Sequence, residues 1–269
     1  MSAEHRPGAL AGSPRARSFD SAAAQYAAAR PGYPDALFDA VEDLSGRRLR
    51  GADVVDVGAG TGISSGLLAR RGARVVAVEP GAGMAGELRR THPDIPLVRG
   101  VGDALPLAAD SADLITYAQA WHWTDPARSL PEAARVLRPG GALALWWNVA
   151  DETVPWLAAQ SDRFRRWIPE WTHGSPGPVR ALPADWPGRV VERRVPWTRP
   201  VPVDTHLANI GSHSLLLTLP PETSAELLAR ERTELLKVFP DGTVTEAYTV
   251  ELTVTTQAAA TGPGTPSTV

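Results

Sequence analysis

Between residues 54 and 80 the chain reads VVDVGAGTGISSGLLARRGARVVAVEP. A β-branched run leads into a turn with glycine at every second position. A helical segment follows, then a second β-branched run that ends on an acid. Few folds accept that order. β-Branched residues favour strands, alternate glycines allow turns of positive φ, and a helix joining two strands makes them parallel neighbours. The alternation of periods extends along the first half of the chain. The sequence predicts strands over Asp53–Val57, Arg74–Glu79, Pro96–Arg99, Asp113–Ala118 and Ala142–Trp147. Between them it predicts helices over Ile63–Arg71, Gly83–Arg90 and Leu130–Leu137, the last stopped by RPGG. Such a chain folds as an α/β protein, a mostly parallel sheet with helices on both faces.

Two helices precede this core. FDSAAAQYAAAR (19–30) is Ala-rich, with Asp20 or Ser21 as cap, and RPGYP breaks it. Pro34 then opens DALFDAVEDL, which sets Leu37, Val41 and Leu44 on one face. The second half is less regular. A helix over 153–168 carries Trp156, Phe164 and Trp167 near one face, and a Pro-dense loop follows over 169–189. RVVERRVPWTRPVPV reads as an edge strand because its prolines cannot donate to a ladder. A helix from about Ser224 to Val238 spaces Leu227, Leu228, Leu235 and Leu236 for burial, and VTEAYTVELTVTTQ forms a final antiparallel strand. We expect one domain over 18–256, with disordered ends at 1–17 and 257–269.

Composition narrows the chemistry. The chain has no cysteine, which excludes disulfides, thiolate metal sites and iron–sulfur clusters. A net charge of −3 and the lack of a Lys/Arg block speak against a nucleic-acid partner. No apolar run reaches the ~20 residues of a membrane span, and MSAEHRPGALAGSPRARS lacks an apolar signal region. A soluble, cytoplasmic protein is expected, as a monomer or homodimer. His173, His206 and His213 are too scattered for a metal site.

In open α/β sheets ligands sit beyond the carboxyl ends of the strands, where strand order reverses. The glycine turn, Glu79, Asp103 and YAQAWHW (117–123) all fall at such ends. A P-loop needs a lysine after its last glycine, and Gly62 is followed by Ile63-Ser64-Ser65. A dinucleotide fingerprint needs a small residue where Ile63 stands. Asp56, two residues before Gly58, adds a negative charge that a pyrophosphate would not welcome and a cationic ligand would.

The spacing D-x-G-x-G-x-G, here Asp56, Gly58, Gly60 and Gly62, resembles the first motif of the class I S-adenosylmethionine-dependent methyltransferases. GDALPLAADSADLI and RVLRPGGALAL resemble later segments of that family. SFDSAAAQYAAARPGYP and YAQAWHWTDP are similar to its small-molecule branch, which includes trans-aconitate methyltransferase-like and ubiquinone-type enzymes. The likeness is good over 18–150 and looser beyond. It implies a Rossmann-like seven-stranded sheet with an N-terminal helical lid (18–50) and a Trp/Pro-rich cap insertion after the fifth strand (151–189).

The resemblance implies that Glu79 binds the ribose hydroxyls of S-adenosylmethionine and Asp103 the adenine amino group. Pro80, Met84, Ala104 and Gln119 line the same cofactor, and Tyr26 and Arg30 cover it. Arg30 would pair with the methionine carboxylate or with an acidic acceptor. His122 is a candidate general base for a hydroxyl acceptor, although a carboxylate acceptor needs none. Tyr33, Trp121, Trp123, Trp147 and His213 are candidates for the acceptor pocket. All nine tryptophans fall between 121 and 197, which suggests an aromatic-walled acceptor pocket or lid built by the insertion after the fifth strand; the alternative is that they fill the cap's own core. The expected reaction moves a methyl group to a small organic acceptor, aromatic or carboxylate-bearing. Oxygen is the favoured atom, with carbon and nitrogen open. A nicotinamide-dependent oxidoreductase and a non-catalytic S-adenosylmethionine-binding protein are the rival readings.

Overall fold

The computed structural model describes residues 30–169, 171, 182 and 188–256. The expected helix over 19–30 except Arg30, both chain ends, Tyr26, His173, Trp186 and most of the Pro-dense loop lie outside the described residues.

The described elements are α1 (Asp35–Ser45), β1 (Asp53–Val57), α2 (Ile63–Arg70), β2 (Arg74–Val78), α3 (Ala82–Thr91), β3 (Leu97–Val98) and β4 (Ala112–Ala118). A 3₁₀ turn (Trp121–Trp123) then leads to α4 (Pro126–Val136), β5 (Leu137–Ala150), α5 (Pro155–Trp167) and β6 (Arg189–Pro202). The chain closes with α6 (Val203–Gly211), α7 (Ser214–Leu217), α8 (Pro221–Val238) and β7 (Thr243–Thr256). The strands form one seven-stranded sheet in the order β3-β2-β1-β4-β5-β7-β6. The first five are parallel; β7 runs antiparallel to β5, and β6 antiparallel to β7. The chain winds outward through β1, β2 and β3, then crosses to β4 beside β1. That reversal opens the crevice at the carboxyl ends of β1 and β4.

Alternation within the strands sorts the core to two faces. Leu37, Phe38 and Val41 of α1 pack on Val54, Ala144, Trp146 and Val250. Val55, Ile115, Leu145 and Trp147 face the other way, against Leu130, Ala133 and Val136 of α4. Leu44 sits at the margin of the first cluster.

The boundaries that differ from expectation have local causes. Helix α4 starts four residues early because Asp125 caps it, accepting from the Ala127 N–H at 3.1 Å, and Pro126 occupies its first position. Strand β5 begins at Leu137 because Arg138–Gly141 form an irregular step in its ladder with β4, with Gly140 at φ 71°. Helix α6, which the sequence reading leaves without an element, packs a buried face of His206, Leu207, Asn209 and Ile210 against β6 and β7. Leu236 is exposed, so the inner face of α8 is made by Leu227, Glu231 and Leu235.

The helices beyond β5 form a cap with its own interior. Phe164, Ile168, Trp171, Ile210, Leu216 and Leu227 cluster there. Beside them runs a buried polar chain. Glu231 on α8 accepts from Arg163 at 2.5 and 2.7 Å and from Gln160 at 3.0 Å, both on α5. His206 meets Gln160 at 2.9 Å and Glu246 of β7 at 2.7 Å, and Arg199 of β6 donates to Glu246 at 2.6 Å. Burial alone would raise the Glu246 carboxyl, but His206 and Arg199 hold it below its ordinary range. These contacts join α5, α6 and α8 to the antiparallel edge of the sheet.

Removing one partner of a buried pair leaves the other uncompensated. Glu231→Gln is therefore expected to lower stability by about 3 kcal/mol in urea unfolding. Glu152→Gln, which breaks a solvent-exposed pair with Arg165, should cost under about 1 kcal/mol. Equal costs would show that the buried chain does not hold the cap.

Candidate active site

The turn after β1 is set by its glycines. Gly58, Gly60 and Gly62 have φ of 66°, 58° and 88°, in the left-handed region where a side chain is strained. At Gly58 a Cβ would lie 2.5 Å from that of Ala120, just past β4. At Gly62 it would meet His92 at 2.8 Å and Leu88 at 2.9 Å. Gly60 differs: among the described residues a Cβ there meets nothing within 4 Å. Two of the glycines thus serve close packing, and the middle one lies beside open space.

Glu79, buried at the end of β2, ties this turn to the next. Its Oε2 accepts from the Gly60 N–H at 2.8 Å and its Oε1 from the Gly81 N–H at 2.7 Å. The Gly58 and Ala59 N–H groups donate to the Val78 carbonyl at 2.8 and 3.1 Å. The clamp thus joins both carboxylate oxygens of Glu79 to backbone N–H groups of the two turns.

Asp56 is placed differently from the sequence expectation. It has no solvent exposure. Its Oδ2 accepts from the Ser65 hydroxyl at 2.6 Å and its Oδ1 from the Thr116 hydroxyl at 2.8 Å. It lies under the turn, joining β1 to α2 and β4, and does not face the crevice. Burial pushes its carboxyl up to about 6, against the pull of Ser65 and Thr116. Any influence on a ligand is a field through the turn. The sequence reading did not anticipate Ser65 and Thr116, although a hydroxyl nine residues after a buried strand acid was visible.

On the far side of the crevice Asp103 accepts twice on Oδ1, from the Asp125 N–H at 3.0 Å and the Ser129 hydroxyl at 2.6 Å. Both bonds come from the start of α4, and no hydrogen bond to Oδ2 is recorded among the described residues. Gln119 follows β4 at φ 58°, rare for a non-glycine residue, and its N–H is anchored to the Trp146 carbonyl at 2.8 Å. Pro80 is half-buried, Ala104 is exposed, and Met84 is buried in the first turn of α3.

The aromatic expectations divide. Trp121 is fully buried, edge-on to Tyr117 at 5.0 Å, and belongs to the core. It does not wall a pocket. Trp147 is also buried, but its Nε1–H donates to His122 Nδ1 at 3.4 Å. His122 and Trp123 are half-buried with ring centroids 4.7 Å apart. Tyr33 packs edge-on to Trp146 at 5.9 Å. Trp171 fills the cap core and Trp167 packs against it, so these tryptophans serve the cap's interior.

Arg30 reaches the end of α6. Its Nη1 is 3.5 Å from His213 Nε2 and its Nη2 donates to the Ser212 carbonyl at 3.3 Å. The His213 ring stacks on Trp171, which stacks on Phe164, at 5.2 and 4.6 Å. Nearby, Asn148 near the carboxyl end of β5 donates to the Gly32 carbonyl at 3.2 Å and accepts from Trp197 at 2.9 Å. Tyr248, opposite Ala150, stacks on Trp197 at 5.4 Å and accepts from Asn209 at 3.0 Å. Asn148, Trp197, Asn209 and Tyr248 were not singled out in the sequence because they come from separate elements with no shared spacing.

The residues fit a nucleoside ligand that carries positive charge and no phosphate. Glu79 and Asp103 flank the crevice, and the Gly60 position is open. The Thr61 hydroxyl, beside the start of α2, is buried without a hydrogen-bond partner. Among the described residues no group of three or more acidic or histidine side chains is arranged to hold a metal.

Comparison with known proteins agrees with this geometry. Residues 55–145 match the family model described as a methyltransferase domain. An uncharacterised methyltransferase of Mycobacterium tuberculosis is 38% identical over 223 residues, 83% of this chain and 87% of its own. Over a shorter stretch of 99 residues, 35% of this chain and 36% of the relative, a malonyl-[acyl-carrier protein] O-methyltransferase of Methylococcus capsulatus is 44% identical. A solved structure from Anaeromyxobacter dehalogenans, described as a candidate type II methyltransferase, superposes with a TM-score of 0.66. It is 28% identical, and the match covers 86% of this chain and 98% of that one. The nicotinamide reading falls with these matches: the chain belongs to the class I S-adenosylmethionine-dependent methyltransferases.

Proposed function

We propose that this methyltransferase acts on a small, carboxylate-bearing organic acceptor and delivers the methyl group to oxygen. The observation that carries the reading is the placement of Arg30 beside His213 and Ser212, over the carboxyl end of β5. A guanidinium fork suits a carboxylate. It stands on the β5 side of the crevice. The malonyl O-methyltransferase relative supports an oxygen acceptor, although only 36% of that relative is matched.

S-Adenosylmethionine, when bound, supplies an electrophilic methyl group. The chain's part is to orient and to exclude water. Glu79 would hold the ribose hydroxyls, and Asp103 Oδ2 the adenine amino group. The cap, set by Trp171 and His213, would close the acceptor side. Arg30 and His213 would fix the acceptor's carboxylate, while His122 and Trp123 border it from the β4 side.

Calorimetric titration should show binding of S-adenosylhomocysteine and none of NADH. Methyl-labelled cofactor offered a panel of short mono- and dicarboxylates, phenols and amines should then label a carboxylate. Arg30→Ala is expected to raise KM for that acceptor about tenfold or more while leaving S-adenosylhomocysteine affinity unchanged. Label on amines or phenols alone would refute the acceptor class. Cofactor binding with no transfer to any of them would favour a binding protein.

Asp56 gives a second test, on cofactor and fold together. Its carboxyl rises from 3.8 to about 6 in the folded chain. The folded state thus binds more protons than the unfolded one between those values. The group's contribution is complete below about pH 4 and is lost as pH rises through 6. Asp56→Asn removes this loss, so its stability relative to wild type should improve by about 2–3 kcal/mol from pH 4 to pH 7. The sulfonium of S-adenosylmethionine favours the ionised form, so S-adenosylmethionine affinity in wild type should fall below pH 6, by at most about tenfold per unit. The Asn variant should show a flat profile there. Parallel profiles in both proteins would remove Asp56 from either role.

A further inference from the structure

The hydrogen bond between Trp147 and His122 decides what His122 can do. An indole nitrogen only donates. Its N–H points at His122 Nδ1 at 3.4 Å, so Nδ1 is the accepting, unprotonated nitrogen, and neutral His122 carries its proton on Nε2. Trp147 is in the buried ladder of β5, where its backbone pairs with Glu251, and it has only 1% exposure. Such a ring cannot turn to follow the imidazole. Trp123, at 4.7 Å, borders the imidazole as well. His122 itself is half-buried, in the turn after β4 whose Ala120 packs against Gly58.

We infer that Trp147 is a positioning residue that locks His122 in its Nε2–H tautomer, so His122 serves the acceptor as a hydrogen-bond donor and not as a general base. The inference rests on the acceptor lying beside His122, as in the proposed function. A base at Nε2 would need a bare lone pair there, and that nitrogen is occupied by a proton. A base at Nδ1 would need Trp147 to give up its bond. The lock therefore selects acceptors that arrive already ionised. A carboxylate oxygen meets that requirement. Its lone pair forms the O–C bond while the C–S bond breaks with its electron pair going to sulfur, and no proton moves. A neutral alcohol would have to lose its proton to some other group.

The test is nitrogen-15 NMR of histidine-labelled protein saturated with S-adenosylhomocysteine, at about pH 8.5 so that imidazoles are neutral. The His122 signals are assigned by their loss in His122→Ala. The expected result is a single tautomer, with Nδ1 unprotonated and Nε2 protonated. In Trp147→Phe the same signals should move to the averaged positions of a free imidazole. In His122→Ala the Trp147 indole N–H should lose its hydrogen-bonded proton shift. An Nδ1–H imidazole in wild type would restore His122 as a base and overturn the inference, and so would His122 signals indifferent to Trp147→Phe. Should that variant not fold, the wild-type tautomer and the indole shift still decide. Failure of S-adenosylhomocysteine to bind would instead strike the proposed function, and the titration reads that separately.

Discussion

A carboxylate with no water around it sits at the centre of the sheet, and much of the crevice is arranged above it. Asp56 can be buried only because Ser65 and Thr116 supply hydroxyls on either side, since an unpaired buried acid is costly. Those bonds reach from β1 to α2 and to β4. They fix the angle at which the glycine turn leaves β1, and hence where the open Gly60 position and the start of α2 lie. Glu79 then clamps the turn from β2. Two acids with different surroundings divide the work: the fully buried one sets the loop from beneath, and the one at the strand end ties it to the turn after β2.

Glycines and strand periodicity were the legible part of the sequence. β1 matched its reading at both ends, and the strands on either side of it were in place to within two residues. The reason is physical: a buried parallel strand is a continuous apolar run, and a turn with alternate positive φ has almost no substitute for glycine. The direction of a side chain is less legible. Asp56 was read as facing a cation because its position implied a ligand, whereas strand alternation and the hydroxyls of its neighbours turn it inward. Helix α6 was missed because its buried face includes His206 and Asn209, which an apolar pattern does not count.

The tryptophans mark the limit of composition as a guide. Their concentration after residue 120 was compatible with a pocket or with a core. The structure spends most of the described ones on cores: Trp121, Trp146 and Trp147 against the sheet, Trp171 inside the cap and Trp167 against it. What distinguishes them is the fate of the indole N–H. Among the described residues it meets no hydrogen-bond partner in Trp121 and Trp146, and is directed at a polar partner in Trp147 and Trp197. Both of those partners, His122 and Asn148, stand toward the carboxyl ends of β4 and β5. A ring buried for packing thus also orients a polar group, and no sequence pattern separates that use from plain burial.

The chemistry follows from where charge is placed and where it is withheld. The glycine turn meets acids and a helix start, with no lysine after its last glycine, which suits a cationic cofactor. On the β5 side Arg30 stands beside His213, 183 positions away in sequence, and Asn148 reaches the Gly32 carbonyl across 116. A cap tied down by the buried Glu231–Gln160–His206–Glu246 chain can hold that cluster while charges on cofactor and acceptor are brought into line. Displacement at a methyl group asks for little more than alignment and dryness. With an anionic acceptor the reaction consumes opposite charges, so excluding water strengthens the attraction that the displacement neutralises. A histidine held as a donor belongs in such a site, because it steadies the acceptor without adding a proton-transfer step.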